Sequence, residues 1–429
     1  MPIPIIIKGI TEGLSSIPHA YTVLKTAPWV LLLVALKMYF GGARNQSERL
    51  MHSKVVMVTG GTSGIGASVV HELALRGAQI ILLTRQPPSD GFLAEYIQDV
   101  RQRTGNQLIY AEQVDLSSLH SIRTFATKWV DNAPPRRLDM LILCGGLAAP
   151  SAARGKHSPD GLDEEWQVNY LANFHLLSIL SPALRVQPPD RDVRIIFTTC
   201  SSYIGAKYDL KQITDRRPGT NGKGNTNKKK KNESAKKEEE NTPVLPSKAN
   251  IFGLSKLALM IFAQSFQKHL NAYARPDKFP PNARILVVNP GLCRTPGTRR
   301  WLTGGTLWGL LVYLLTWPLW WLVLKSPQQG AQSILFAAME ARFGRGAGGY
   351  MIKECVEVDV ARTEVKDEKL AEELWKVSEA QITEAEKTAA LKRAADKAAT
   401  KEKTDDKNQE SQGSKEQTAG SRRNRKKAA

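Results

Sequence analysis

The stretch that decides the fold is TGGTSGIG, residues 59–66, which follows the apolar run VVMV and precedes ASVVHELALRG. The second segment has apolar residues at helical spacing. A strand that enters a helix through closely spaced glycines lets the backbone approach a pyrophosphate, and the helix N-terminus offers it unpaired N–H groups. The motif therefore predicts a dinucleotide site formed by Thr59, Gly60, Thr62, Ser63, Gly64, Ile65 and Gly66.

Four further apolar runs repeat the strand-like pattern, and each is followed by a helix-like segment: AQIILLTR, LIYAEQVDL, LDMLILCGG and VRIIFTT. Continuous apolar strands that alternate with helices indicate a parallel sheet covered on both faces. The right-handed crossover rule then makes a doubly wound, Rossmann-type α/β fold the expected architecture. We place this single domain at residues 51–362.

The first 50 residues contain the apolar run 27–40, APWVLLLVALKMYF. This run is shorter than the roughly 20 residues that cross a bilayer, but it can reside in a membrane if Lys37 extends to the interface. The basic residues Arg44, Arg49 and Lys54 follow it and favour a cytosolic side for the rest of the chain. We therefore expect an N-terminal membrane anchor.

Two regions outside the domain pattern have compositions typical of disorder. Residues 217–247 are rich in Gly, Asn, Lys and Glu, which predicts a disordered insertion in the domain. Near the C-terminus, LAEELWKVSE has helical spacing. We expect a helix at 363–383 and a disordered tail at 384–429.

The formal net charge of +19 raises the question of nucleic-acid binding. Much of that charge lies in two low-complexity stretches, 228–237 and 422–427, which contain no aromatic residues. They match no nucleic-acid-binding module, so we expect solvated segments and no nucleic-acid partner. The four cysteines form no C-x-x-C pair, which favours a reducing compartment and predicts no metal site.

Two positions bear on the choice of nucleotide. Arg85 closes the second strand, where an acidic residue would bind the 2′-hydroxyl of NAD and an Arg accommodates the 2′-phosphate of NADP. No Asp or Glu occurs at 84–86, so the sequence favours NADP(H) over NAD(H). Asp115, followed by Leu116, suits a hydrogen bond to the adenine edge, although a helix N-cap would have the same appearance.

The chain resembles the short-chain dehydrogenase/reductase family, in its retinol-dehydrogenase-like branch, over about residues 53–360. The matching residues are TGGTSGIG, Asp115-Leu116, Asn169 in WQVNYLANFHLL, Ser255-Lys256 in FGLSKLALM, and Asn289-Pro290-Gly291 with Thr295. The resemblance implies that Asn169 supports the catalytic helix and a water, and that Lys256 binds the nicotinamide ribose. It further implies that Pro290, Gly291 and Thr295 approach the carboxamide, and that Gly145 lies in a cofactor-binding turn, which CGG at 144–146 matches in part.

One position departs from the family pattern in a way that affects the chemistry. The family's proton donor is a Tyr four residues before the Lys, and position 252 is Phe. Hydride transfer to a carbonyl builds charge on oxygen, and general acid–base assistance typically contributes about 10²–10⁴-fold. Phe252 therefore predicts a weakened ketoreductase.

The serine and tyrosine of the family have more than one candidate here. Without gaps the family's Ser falls on Cys200, and a one-residue bulge places it on Ser201, which we prefer. The segment Tyr203-Ile-Gly-Ala-Lys207 matches the family's Y-x-x-x-K motif, but no apolar run with helical spacing follows it. The expected catalytic set is Asn169, Ser201 and Lys256, with Cys200 and Tyr203 as alternates.

Residues 301–324, WLTGGTLWGLLVYLLTWPLWWLVL, contain no charged residue and hold five of the nine Trp. Their length fits a transmembrane helix, but the segments that follow resemble the family's last helix and strand, so the chain must return to the same side. We expect a re-entrant hairpin or interfacial segment, bent at Pro318, that docks on lipid and admits an apolar substrate. An apolar lid or a dimer contact is the alternative.

These features together favour a membrane-associated, NADP(H)-dependent oxidoreductase acting on a lipid-like alcohol or carbonyl. The alternative is a dinucleotide-binding family member with a sensing or structural role at a membrane, because Phe252 replaces the catalytic Tyr. Membrane lipid and an apolar small-molecule substrate are the expected partners, and a homodimer is a possible assembly. The opening stretch resembles fungal blue-light-inducible oxidoreductases, which favours a mitochondrial membrane over the endoplasmic reticulum or a lipid droplet.

Overall fold

A computed structural model describes residues 20–150, 155–210 and 250–395 of the chain. The insertion predicted at 217–247 lies outside these described residues. An eight-stranded sheet forms the centre of the fold. Its strands are β1 Val55–Thr59, β2 Gln79–Thr84, β3 Ile109–Gln113, β4 Met140–Leu143, β5 Val193–Thr198, β6 Ala283–Asn289, β7 Tyr350–Lys353 and β8 Val356–Val358.

The strand order is β3-β2-β1-β4-β5-β6-β7-β8. The first seven strands are parallel, and β8 runs antiparallel to β7. The chain moves outward from β1 to β3 and then returns to the other side of β1 at β4, so the topological switch point lies between β1 and β4. The predicted doubly wound α/β fold is confirmed.

Helices cover both faces of the sheet, because alternate residues of each central strand pack in opposite directions. Met57 of β1 belongs to one core, and Val56 and Val58 belong to the other. The helices are α1 Ala20–Gly41, α2 Gly64–Leu75, α3 Gly91–Thr104, α4 Leu119–Val130, α5 Ala172–Arg185, α6 Ile251–Asn271, α7 Pro296–Thr303, α8 Leu307–Leu315, α9 Trp317–Val323, α10 Pro327–Met339 and α11 at 368–395. One core packs against α4, α5 and α6, and the other packs against α2, α3 and α10.

The last helix, α11, packs against the outer side of α5 and α6. Leu374, Ile382 and Ala385 are buried in the core on that side of the sheet. The carboxylate of Glu386 accepts from the Arg123 guanidinium of α4 at 2.5 Å. The helix end predicted at residue 383 is therefore wrong: these tertiary contacts hold the helix together through a stretch whose polar composition suggested disorder.

The apolar segment 301–324 does not form one long helix. It is divided among α7, α8 and α9, and its two ends lie side by side: the Arg294 N–H donates to the Lys325 carbonyl at 2.8 Å, and the Lys325 N–H donates to the Leu292 carbonyl at 3.0 Å. The chain thus leaves this segment beside the place where it entered, as expected from the family-like helix and strand that follow the segment in the sequence. The bend between α8 and α9 falls at Thr316, two residues before Pro318.

The N-terminal helix α1 is longer than the apolar run at 27–40. Among the residues that the structure describes, it is the one helix whose length and composition would let it cross a membrane. Its window Leu24–Gly41 has a mean hydropathy of 1.3 and is 6% buried. The Lys37 ammonium of α1 donates to the Trp321 carbonyl and lies 4.7 Å from the centroid of that indole ring, which joins α1 to α9.

Replacing Leu374 by Ala should lower the free energy of unfolding by about 2–5 kcal/mol, because the side chain is 1% exposed and its loss leaves a cavity under α11. The matched control is Leu391→Ala in the same helix, where the side chain is 72% exposed and the change should stay within about 0.5 kcal/mol. Denaturant unfolding of the two variants measures both effects. Equal effects would show that α11 does not pack on the domain.

Candidate functional site

The turn between β1 and α2 leaves no room for side chains at its glycines. Gly60 and Gly64 have φ values of +66° and +58°, in the left-handed region that favours glycine. A Cβ on Gly66 would lie 2.2 Å from the Gly60 carbonyl oxygen. Thr62 and Ser63 are exposed, and the hydroxyl of Ser63 makes no capping hydrogen bond to α2. The N–H groups of the first turn of α2 and these hydroxyls are therefore available to a phosphate.

A second turn, after β4, packs directly on the glycine turn. The Gly145 N–H donates to the Thr59 hydroxyl at 3.0 Å, and a Cβ on Gly60 would lie 2.9 Å from the Gly145 Cα. Thr59 itself is fully buried. The prediction that Thr59 binds the cofactor is therefore wrong, because its hydroxyl holds the two turns together beneath the site. Leu116 lies against Gly145, where a Cβ would come within 2.7 Å of the Leu116 Cδ1.

The two residues expected near the adenosine lie at the same edge of the sheet. Arg85 is exposed directly after β2. Asp115 follows β3, and its carboxylate accepts from the Ser117 N–H at 2.9 Å and from the Ser117 hydroxyl at 2.7 Å. The N-cap of α4 is Ser118, so the alternative interpretation of Asp115 as the helix cap is wrong. An adenine contact for Asp115 stays a prediction.

The segment after β6 brings the expected nicotinamide contacts beside the glycine turn. Gly291 has a φ of +79°, and its N–H donates to the Asn289 side chain at 3.0 Å, so the chain turns sharply after Pro290. Thr295 then caps α7. A Cβ on Gly64 would lie 3.3 Å from the Thr295 methyl group. The two parts of the predicted cofactor site, far apart in the sequence, therefore face each other.

Lys256 lies in the interior of α6 and reaches the C-terminal end of β5. Its ammonium donates to the Thr198 carbonyl at 3.3 Å and lies 5.9 Å from the centroid of the Phe252 ring. Burial lowers the pKa of Lys256, while Cys200, Cys144 and Glu165 nearby favour its charged form. Phe252 thus occupies the place expected for the tyrosine, one helical turn before Lys256, without supplying a hydroxyl.

The structure favours Cys200 over Ser201 as the residue at the family's serine position. The paired register of β5 ends at Thr198, before both of these residues. Cys200 lies close enough to Lys256 to favour the charged form of that side chain. The Ser201 hydroxyl instead accepts from the Asn289 side chain at 3.1 Å, at the end of β6. These contacts favour Cys200, and the assignment of the family's serine position stays a prediction.

The alternate Tyr203 is excluded by the direction of its side chain. The ring is buried, and its hydroxyl accepts from the Ala361 N–H at 3.4 Å and contacts the Met351 sulfur at 3.9 Å. These partners belong to β7 and to the segment that follows β8. Tyr203 therefore supports the last part of the sheet.

Asn169 holds the loop that follows β4. It lies in the π-helical segment Gln167–Leu171, which leads into α5. Its side chain accepts from the Leu147 N–H at 2.7 Å and donates to the Leu147 carbonyl at 2.8 Å, and its own carbonyl accepts from Asn173 at 2.9 Å. Asn169 therefore positions the loop over the site through its side chain, whereas the resemblance implied support of the catalytic helix.

Sequence reasoning missed two residues beside Lys256. A Cβ on Gly146 would lie 3.2 Å from the Asn169 Oδ1 and 3.7 Å from the Lys256 Nζ, so only glycine leaves this gap open. Glu165 is buried, accepts from the Ala149 N–H at 3.0 Å and favours the charged form of Lys256. Glu165 precedes Asn169 by four residues, in the short helix Glu164–Trp166 that leads into the π-helical segment, and this spacing was the signal that would have indicated it.

Comparison with known proteins agrees with this geometry. The family model for short chain dehydrogenase matches residues 54–209. The relative described as uncharacterized oxidoreductase pbr1 of Schizosaccharomyces pombe is 41% identical over 390 residues, covering 90% of this chain and 97% of the relative. Human retinol dehydrogenase 13 is 27% identical over 345 residues, covering 80% of this chain and 88% of the relative.

The solved structure of an uncharacterized protein from Mycobacterium paratuberculosis shares the fold, with a TM-score of 0.50 and 19% identity over 80% of this chain and 98% of that one. The chain belongs to the short-chain dehydrogenase/reductase family, and the predicted resemblance to its retinol-dehydrogenase-like branch is confirmed. It is an oxidoreductase of that family. The open glycine turn, the unpartnered first turn of α2 and the facing Thr295 fit a nicotinamide dinucleotide.

Replacing Gly66 by Ala should weaken the binding of a reduced nicotinamide dinucleotide by at least about tenfold, because the new Cβ displaces the start of α2 from the Gly60 carbonyl. The control is Gly91→Ala at the start of α3, where an added Cβ meets nothing within 4 Å. Fluorescence titration of both variants gives the dissociation constants, and circular dichroism confirms that each has folded. Unchanged affinity in a folded Gly66→Ala variant would contradict the assignment of this turn.

Proposed function

We propose that this protein is a membrane-associated oxidoreductase that uses NADP(H) and acts on a lipid-like alcohol or carbonyl. The observation that carries the proposal is the large exposed apolar surface formed by α1 and by the hairpin of α8 and α9, which adjoins the entrance to the site. The dinucleotide supplies or accepts a hydride. The chain itself contributes the binding turn, a buried cation at Lys256 and the surface through which an apolar substrate enters.

The exposed apolar side chains of α1 and of α8–α9 are named here the docking surface. It includes Trp29, Val30, Leu31, Leu307, Trp308, Val312, Leu314 and Leu315. Soluble monomers rarely expose contiguous apolar patches of this size, and Trp is enriched at the level of lipid headgroups. The contact between Lys37 and Trp321 joins the two parts. A docking surface of this composition supports residence on a lipid bilayer.

The base of the hairpin lies beside the loop that covers the site. A Cβ on Gly305 would lie 3.2 Å from the Pro150 Cβ, and Pro150 follows the segment that Asn169 holds through Leu147. A substrate that enters between the hairpin and this loop would come from the lipid side. This arrangement favours an apolar alcohol or carbonyl over a water-soluble one.

The preference for NADP(H) rests on Arg85. The side chain is exposed at the end of β2, and residues 84–86 include no carboxylate that would repel a 2′-phosphate. An Arg at this place can bind the phosphate with charge-assisted hydrogen bonds. The membrane of a mitochondrion is our preferred location, because of the resemblance of the opening stretch.

A second function is favoured by Phe252. Its ring lies beside the Lys256 ammonium, where hydride transfer to a carbonyl needs a proton donor. The proton-bearing groups near this position are the Lys256 ammonium and the thiols of Cys200 and Cys144. A dinucleotide-binding protein with a sensing or structural role at a membrane is therefore the competing proposal.

Replacing Leu315 by Glu should reduce binding to phosphatidylcholine vesicles by at least about tenfold, because a charge in the docking surface is costly in lipid. Leu315 is 75% exposed, and the matched control Phe92→Glu alters an apolar residue of α3 that is 84% exposed. Vesicle flotation measures the affinities. A chain lacking residues 1–50 that stayed soluble without detergent would contradict the docking role of the hairpin.

Restoring the hydroxyl with Phe252→Tyr should raise turnover by about 10²–10⁴-fold, because the tyrosine would protonate the developing alkoxide. The assay follows oxidation of NADPH, with NADH in parallel, on retinoid, steroid and fatty aldehydes, and NADPH should be the better donor. The proposal requires slow but measurable turnover by the natural protein. Turnover that appears in the Tyr variant alone would contradict the enzymatic proposal and favour the sensing or structural role.

A further inference from the structure

A cavity of about 400 Å³ lies where the end of α1 meets the hairpin and the start of α10. Three cationic side chains line it: Lys37 of α1, Arg44, which follows that helix, and Arg294, which precedes the hairpin. The other lining residues are Trp321, Ser326, Gln328, Gln329 and Gln332. The wall of this cavity is therefore positive and polar, with one aromatic ring.

The three cations lack an acidic partner among the residues that the structure describes. Within residues 20–150, 155–210 and 250–395, no ion pair involves Lys37, Arg44 or Arg294. The nearby carboxylate of Glu354 is bound to the Lys325 ammonium and to the Ala43 N–H. The Arg294 Nη1 atom is buried without a hydrogen-bond partner. Positive charges gathered in this way need an anion to offset their repulsion and desolvation.

Two of the cations are held in place before any ligand binds. The Arg294 guanidinium lies 4.6 Å from the centroid of the Trp317 ring, and its backbone is fixed by the Lys325 carbonyl. Lys37 lies over Trp321. Preorganised cations lose little side-chain entropy on binding, which favours a specific site over a diffuse charged surface.

The start of α10 adds to the positive potential. This helix has 13 residues and begins with a capping box, in which Ser326 and Gln329 each accept from the other's backbone N–H. Pro327 has no N–H, and the N–H groups of Gln329 and Gly330 are bonded to Ser326. The contribution of the helix is therefore the Gln328 N–H and the positive end of its dipole. Two of its residues, Gln328 and Gln329, also line the cavity.

We propose that this cavity binds the phosphate of an anionic membrane lipid. The proposal deepens the membrane association proposed above and rests on it. The cavity belongs to the same junction as the docking surface, since Lys37 lies at the end of the apolar helix and Trp321 belongs to the hairpin. Trp and Lys at the border of apolar segments are typical of the headgroup level of a bilayer, where a lipid phosphate is located.

The experiment compares the full chain on vesicles of phosphatidylcholine with its binding to vesicles that also contain phosphatidic acid. The natural protein should bind the second vesicles about a hundredfold more tightly, because each cation near an anionic surface contributes about a fivefold gain. The double variant Arg44→Gln, Arg294→Gln should lose roughly twentyfold of that gain. The charge-preserving variant Arg44→Lys, Arg294→Lys should keep most of it.

The matched control is Arg299→Gln, Arg300→Gln, which removes the same charge from exposed residues of α7 outside the cavity. An equal loss in this control would replace the specific site by general attraction to a charged surface and so overturn the proposal. Equal binding of the natural protein to both vesicle types would also overturn it while leaving membrane docking intact. Binding to neither type would overturn both proposals.

A calorimetric titration separates a lipid headgroup from free phosphate. The natural protein in detergent is titrated with dihexanoyl phosphatidic acid and, separately, with inorganic phosphate. The lipid should bind more tightly, because its chains also contact the apolar side chains around the cavity. Equal or tighter binding of inorganic phosphate would assign the cavity to a soluble anion and overturn the lipid assignment.

Discussion

The contact between the turns that follow β1 and β4 is the constraint on which the other parts of the site depend. The Gly145 N–H donates to the buried Thr59 hydroxyl, and the backbone at Gly60 approaches Gly145 too closely for any side chain. Because these strands are neighbours at the switch point, the chain leaves them toward opposite faces of the sheet. The crevice that results is open to a pyrophosphate, and Arg85 and Thr295 lie along the same edge of the sheet.

Most of the fold was predictable from the sequence because its signals are local. Five-residue apolar runs followed by helical spacing indicate buried parallel strands, and the glycines of TGGTSGIG report a backbone that must turn sharply. The continuation of α11 past residue 383 was not predictable in this way. Ala385 is buried and Glu386 pairs with Arg123 of α4. Neither contact can be recognised from the surrounding Lys- and Glu-rich composition. Tertiary contacts, rather than helix propensity, carry this helix past residue 383.

The candidate site was less predictable than the fold, because the direction of a side chain depends on turns that periodicity does not describe. Tyr203 and Lys207 match the family's Y-x-x-x-K motif, yet the short helix after β5 directs the Tyr203 hydroxyl toward Ala361. Cys200 and Ser201 differ by one position, yet the Ser201 hydroxyl is bound to Asn289 while Cys200 lies near Lys256. Burial of Lys256 among two thiols and a carboxylate required the folded chain, since Cys144, Glu165 and Cys200 come from separate segments.

The contact between Lys37 and Trp321 joins residues 284 positions apart in the chain. During synthesis the N-terminal helix is therefore complete while most of the domain has still to be made. The hairpin that packs on it is synthesised late. The helix α11, which packs against the outer side of α5 and α6, is synthesised after the hairpin. If the helix enters the bilayer as it emerges, the domain must fold beside a lipid surface to which it is already tethered. The tether then shortens the search by which the hairpin finds its place, because both partners are confined to one plane.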